Sequence, residues 1–128
     1  MLSVDDLVTG KSFTDTIGFS GYWWDLPDPK RPSHQPMEGR KAPYPTPLPY
    51  RVMLPRGVKN LICPGRAISV ERDVLGLLRV MASCMAMGEA AGLAAKQVVT
   101  RNIAFANVDI AALQTTLRAQ GAILDWEA

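Results

Sequence analysis

Cysteine, histidine and closely spaced glycine are what this 128-residue sequence has least of, and each scarcity removes a class of chemistry. Two cysteines, Cys63 and Cys84, form no CxxC pair and no secreted disulfide framework, so two buried thiols and no metal site are expected. The one histidine, His34, has no partner at catalytic spacing and reads as a solvated loop residue. None of the ten glycines lies one residue from another, so the G-x-G-x-x-G cradle that holds a dinucleotide's pyrophosphate is absent. P-loop lysine motifs, HExxH helices and G-x-S-x-G elbows are absent too. Fourteen basic against twelve acidic residues leave a net charge of only +2, which argues against a nucleic-acid partner. The longest apolar stretch, Leu77 to Val99, is interrupted by Arg79, Glu89, Lys96 and Gln97, so a helix packed in protein is expected there and no membrane span. Residues Met1 to Lys11 carry Asp5 and Asp6 and no apolar run, so no signal peptide is expected and the chain reads as cytoplasmic.

What is present suits one small α+β unit. Ser3 is a natural N-cap before Val4, Asp5 and Asp6, and Gly10 would stop that short helix. Thr14 to Ser20 reads as irregular chain or a short strand, leading to the aromatic cluster Tyr22-Trp23-Trp24. Nine of the ten prolines fall between Leu26 and Pro55, which makes most of that stretch a long loop. Leu48 to Leu54 alternates as an edge strand, and Val58 to Cys63 reads as a second, buried strand. Asp73 could cap a long helix running from about Leu75 to Val99, with Ala82, Ala86, Gly88, Ala91, Gly92 and Ala95 forming a small-residue ridge for close packing. Asp109 caps a last amphipathic helix that turns Ile110, Leu113, Leu117 and Ile123 inward and ends at Gly121.

The stretch from Leu61 to Ala95 carries the functional signal. A short apolar run ends in Gly65-Arg66, a polar loop follows, and Gly76 then opens the expected helix. Glycine lets a ligand approach the backbone, and the free N–H groups of a first helical turn favour negative charge. On this reading the segment is half of a flavin site, without the half that would hold the adenosine.

Thr14-Asp15-Thr16-Ile17-Gly18, Trp24-Asp25, Leu48-Pro49-Tyr50-Arg51, Gly57 to Leu61, Gly65 to Ser69 and Arg79 through Ala95 follow one another in a characteristic order and spacing. Together they resemble the C-terminal end of FAD-dependent oxidoreductases with a glutathione-reductase-type flavin domain, the xanthan-lyase-like group. The chain departs from that pattern after Asp25, where Leu26 stands in place of the usual histidine. The resemblance implies that residues 1–56 correspond to the end of a substrate domain with its proline-rich connection, and residues 57–128 to the last part of a flavin domain. It implies cofactor contacts from Gly65, Arg66, Gly76, Leu77, Arg79, Val80 and Met81, with Arg79 as the cation near the pyrimidine edge of the isoalloxazine. Tyr50 and Arg51 are its candidates for lining a substrate cavity, and it assigns no catalytic residue. The complete enzyme would carry FAD; this chain, lacking the glycine-rich half, is expected to bind none and to be inactive alone. Its expected partners are a second copy, as a homodimer, or the N-terminal flavin-binding portion. A non-enzymatic oligomeric interaction domain and one subunit of a split flavoenzyme are the alternative readings.

Overall fold

The computed structural model describes residues 1–22 and 45–126. Trp23, Trp24, Asp25, His34 and most of the proline-rich stretch lie outside the described residues. Helix α1 (Val4–Val8) starts where the capping signal puts it: the Ser3 hydroxyl accepts from the Asp6 N–H, and the Asp6 carboxylate accepts from the Ser3 N–H. The Glu71 carboxylate adds a third contact, accepting from the Val4 N–H at 2.8 Å. Leu2 is fixed on the same neighbour, donating from its N–H to the Ser69 carbonyl and accepting from the Glu71 N–H. The chain's first turn is thereby tied to the segment that feeds the next helix.

Strands β1 (Thr16–Ser20) and β2 (Thr46–Pro49) form a two-stranded antiparallel sheet, with an irregularity in register between Thr16 and Phe19. Pro47 and Pro49 cannot donate to a ladder, and the sheet tolerates them because among the described residues each strand has an unpaired edge. Helix α2 (Arg72–Leu78) and helix α3 (Met81–Arg101) follow, meeting at 89° across Arg79 and Val80. Asn102 closes α3 in the left-handed conformation that asparagine tolerates. Helix α4 (Ile110–Ala119) is capped by Asp109, whose carboxylate accepts from the Ala112 N–H at 3.0 Å. The core lies between the sheet, α2, the inner face of α3 and α4, built from Leu7, Ile17, Leu48, Met53, Leu78, Met87 and Leu113. Among the described residues no single helix is long and apolar enough to cross a membrane.

The mixed α+β class is as expected, but several elements differ. The expected strand over Leu48 to Leu54 is strand only to Pro49; Tyr50–Met53 turns as a 3-10 helix because Asp15 takes both the Tyr50 and Arg51 N–H groups. Val58 to Cys63 is not a buried strand: it is irregular, and Val58 and Leu61 are 46% and 47% exposed. The single helix from Leu75 to Val99 is two helices, so Gly76 lies buried inside α2 and does not open the long one. Asp73 sits in the first turn of α2, and Glu71 is its N-cap. Only part of the small-residue ridge faces inward. The buried face of α3 is Ser83, Met87, Ala90, Ala91 and Ala94, while Ala82, Gly88 and Gly92 face outward. Ile123 is exposed and Leu124 takes its place in the core, since the left-handed Gly121 redirects the chain after α4. Cys63 and Cys84 are free thiols and half-buried rather than buried.

Candidate functional site

The bend between α2 and α3 is held by buried hydroxyls. The last carbonyls of a helix have no intrahelical donor, and the Ser20 hydroxyl supplies one to the Leu77 carbonyl at 2.6 Å. Ser83, in the first turn of α3, donates in turn to the Ser20 hydroxyl at 3.0 Å. One strand side chain thus fixes both the end of α2 and the start of α3.

That start is open. Val80 is the N-cap of α3 and has no side-chain oxygen, so no capping hydrogen bond forms. Met81 and Ala82 are exposed, and their N–H groups have no acceptor among the described residues. The short 3-10 turn Gly65–Ala67 packs beside this end. Gly65 adopts φ +82°, a left-handed conformation that favours glycine, with its α-carbon turned toward the Cys84 sulfur. Arg66 reaches across the bend, its Nε donating to the Arg79 carbonyl at 3.4 Å. Free helical N–H groups with the Arg66 side chain beside them, and with Arg79 two residues before Met81 in the chain, make a local environment suited to a negatively charged or electron-rich edge.

The residues expected at the site divide accordingly. Gly65, Arg66, Arg79, Val80 and Met81 lie around the bend, which the sequence reading, with one continuous helix, did not contain. Gly76 and Leu77 are buried in α2, and Leu77 acts there through its carbonyl, as the acceptor for Ser20. Tyr50 and Arg51 lie elsewhere and are engaged in structure. The Tyr50 hydroxyl donates to the Phe105 carbonyl at 3.0 Å, and burial pushes its pKa up to about 12. Arg51 forks onto the buried Asp15 carboxylate, with Nη2 2.7 Å from Oδ1 and Nε 2.8 Å from Oδ2. The hydrogen bonds to Asp15 hold the Arg51 guanidinium above its usual pKa. Sequence reasoning missed Ser20 and Ser83; a serine on a strand gives no local sign that it will meet a helix end far along the chain. Among the described residues there is no cluster of side chains able to hold a metal ion.

A model of the FAD dependent oxidoreductase family matches residues 1–117. The chain belongs to that family. No curated protein and no solved structure matches it. Membership of the FAD dependent oxidoreductases gives the open helix start a natural ligand class, since complete members use FAD. The residues at the bend fit one side of a flavin. They do not fit the whole cofactor, because the sequence offers no glycine-rich turn for the pyrophosphate.

Proposed function

We propose that this chain is the C-terminal portion of an FAD-dependent oxidoreductase of the glutathione-reductase-type, xanthan-lyase-like group, and that it supplies one wall of the flavin site. The observation that carries the reading is the uncapped, exposed start of α3 beside Arg66 and Arg79, in a chain with no dinucleotide cradle of its own. In the complete enzyme FAD supplies the electron-accepting ring. This chain's part is electrostatic: the N–H groups of Met81 and Ala82 and the Arg79 side chain stabilise negative charge at the pyrimidine edge. Gly65 supplies the left-handed turn that brings Arg66 to the bend, on the side where the cofactor's ribityl and pyrophosphate region would lie. The segment Val58 to Cys63, which has strand-like sequence but no strand neighbour among the described residues, is where the dinucleotide-binding portion would pair.

Alone, the chain is inactive and flavin-free, because a cofactor held at one edge keeps its adenosine and pyrophosphate in water. The test is to incubate the purified chain with excess FAD and desalt it. A colourless protein is expected, and stoichiometric flavin absorbance would refute the reading. With the dinucleotide-binding portion supplied, Arg79→Met is expected to slow flavin reduction more than it weakens FAD binding, since the cation acts on charge that appears on reduction. An unchanged flavin potential and reduction rate in that variant would remove Arg79 from the role.

A further inference from the structure

Helix α3 begins at an end that its own sequence does little to hold. Val80, the N-cap, has extended backbone at φ −76° and ψ 157° and no side-chain bond to the first turn. In a continuous helix the Met81 N–H would donate to the Leu77 carbonyl, four residues back. Here the Ser20 hydroxyl takes that carbonyl at 2.6 Å, so α2 ends satisfied and the Met81 N–H is not spent on it. The Ser83 hydroxyl, in the first turn of α3, donates to the same Ser20 oxygen at 3.0 Å. Among the described residues this is the one hydrogen bond that ties the first turn of α3 to the sheet. Both serines are buried, so they act from behind the open face.

We propose that Ser20 is a positioning residue for the flavin-facing start of α3: it holds the first turn through Ser83, leaves the Met81 and Ala82 N–H groups free, and so fixes where their partial positive charge falls. The proposal rests on the flavin reading and adds its buried support, two side chains that touch no cofactor. Donors aimed at developing charge are effective only when they are held in place before the charge appears. The bond from Arg66 to the Arg79 carbonyl, long at 3.4 Å and exposed, is too weak to supply that hold by itself.

Cys84 is a built-in probe of the potential at this place. Its sulfur and the Arg66 Nε share the Arg79 carbonyl as acceptor, at 3.8 and 3.4 Å, and Cys84 itself stands in the first turn of α3. Cys63→Ser leaves Cys84 as the only thiol of the chain. In that background, the rate of alkylation by iodoacetate divided by the rate with neutral iodoacetamide reports how far the site favours an anion. Thiol exposure and ionisation are common to both reagents and cancel. A unit positive charge about 6 Å away in water favours an anion about threefold, so at low salt the ratio should stand about threefold above that of mercaptoethanol.

Ser20→Ala and Ser83→Ala should each remove about half of that excess or more, because either change cuts the tie between α3 and the sheet. Tyr50→Phe, which loosens the fold away from the bend, should leave the ratio in place. Circular dichroism confirms that each variant is folded. Ser83→Ala keeps the Ser20 bond to Leu77 and is the milder change, so it decides the matter should Ser20→Ala not fold. An unchanged ratio in either folded serine variant, or an equal fall in Tyr50→Phe, overturns the proposal and leaves the flavin reading standing. A ratio equal to that of mercaptoethanol before any serine is changed would remove the electrostatic basis of the flavin reading, and this inference with it.

Discussion

Replacing Ser20 by alanine should destabilise this protein more than replacing Ser83, although the two residues are equally buried at 2% exposure. Ser20 donates to the Leu77 carbonyl and accepts from Ser83. Its loss strands a buried carbonyl and a buried hydroxyl together, and each unmet group costs about 1–3 kcal/mol. Relaxation recovers part of that, leaving about 2–4 kcal/mol. Ser83→Ala removes only a donor; the Ser20 bond to Leu77 survives, and the cost should be about 0.5–1.5 kcal/mol. The two effects are also coupled. In the double variant the stranded Ser83 hydroxyl no longer exists, so the pair should cost no more than Ser20→Ala alone. Urea unfolding followed by circular dichroism gives all three values, provided the slope against urea is constant. Equal costs for the two single variants, or strictly additive ones, would show that Ser20 does not hold the bend as described.

Two further predictions concern pH. Burial raises the Tyr50 pKa from 10.0 to about 12, so its contribution should be complete below pH 10 and lost as pH rises through 12. Tyr50→Phe should remove that alkaline loss while costing about 1 kcal/mol at neutral pH for the bond to Phe105. Unfolding midpoints on either side of this window, compared between the two proteins, check it; parallel decline in both would refute it. The hydrogen bond from Lys11, with those from Ser3, lowers the Asp6 pKa from 3.8 to about 2. Its contribution should be intact above about pH 4 and fade as pH falls toward 2, and Asp6→Asn should flatten that limb of the stability profile.

What can be read from the sequence is what depends on near neighbours. Ser3 with Asp6, and Asp109 before Ala112, announce their helices because the capping partner lies three residues away. Gly10 and Gly121, both at positive φ, mark where those helices stop. The break at Arg79 and Val80 has no such mark: neither residue is proline or glycine, and the apolar pattern runs on through it. It is set by Ser20, distant in sequence, which takes the Leu77 carbonyl away from helical use. The shift from Ile123 to Leu124 in the core has the same character, because a turn of uncertain geometry loses the phase of everything beyond it. Tyr50 and Arg51 show the same limit in another way. Their residue types suit a ligand cavity, but the Phe105 carbonyl and the Asp15 carboxylate that engage them are decided by the tertiary fold.

Val58 to Cys63 is the most instructive departure, because here the local pattern and the fold disagree. Its β-branched and apolar residues favour a strand, yet a strand exists only when another strand completes its hydrogen bonds. The segment has two backbone bonds to residues of 3-10 turns, from Cys63 N–H to the Met53 carbonyl and from Phe105 N–H to the Lys59 carbonyl. Neither begins a ladder, and Val58 and Leu61 stay half in water. Exposing two large apolar side chains forgoes about 1–3 kcal/mol relative to burying them, so a segment of this composition is best suited to a fold that covers it. On the proposed reading that cover is the dinucleotide-binding portion, whose strands would pair here and whose glycine-rich turn would hold the part of FAD that Gly65, Arg79 and the start of α3 leave unbound. One missing neighbour then accounts for both the unformed strand and the one-sided flavin site. A fusion of this chain to such a portion should therefore gain strand and flavin together; gaining flavin while residues 58–63 exchange amide hydrogens as fast as before would separate the two and refute the link.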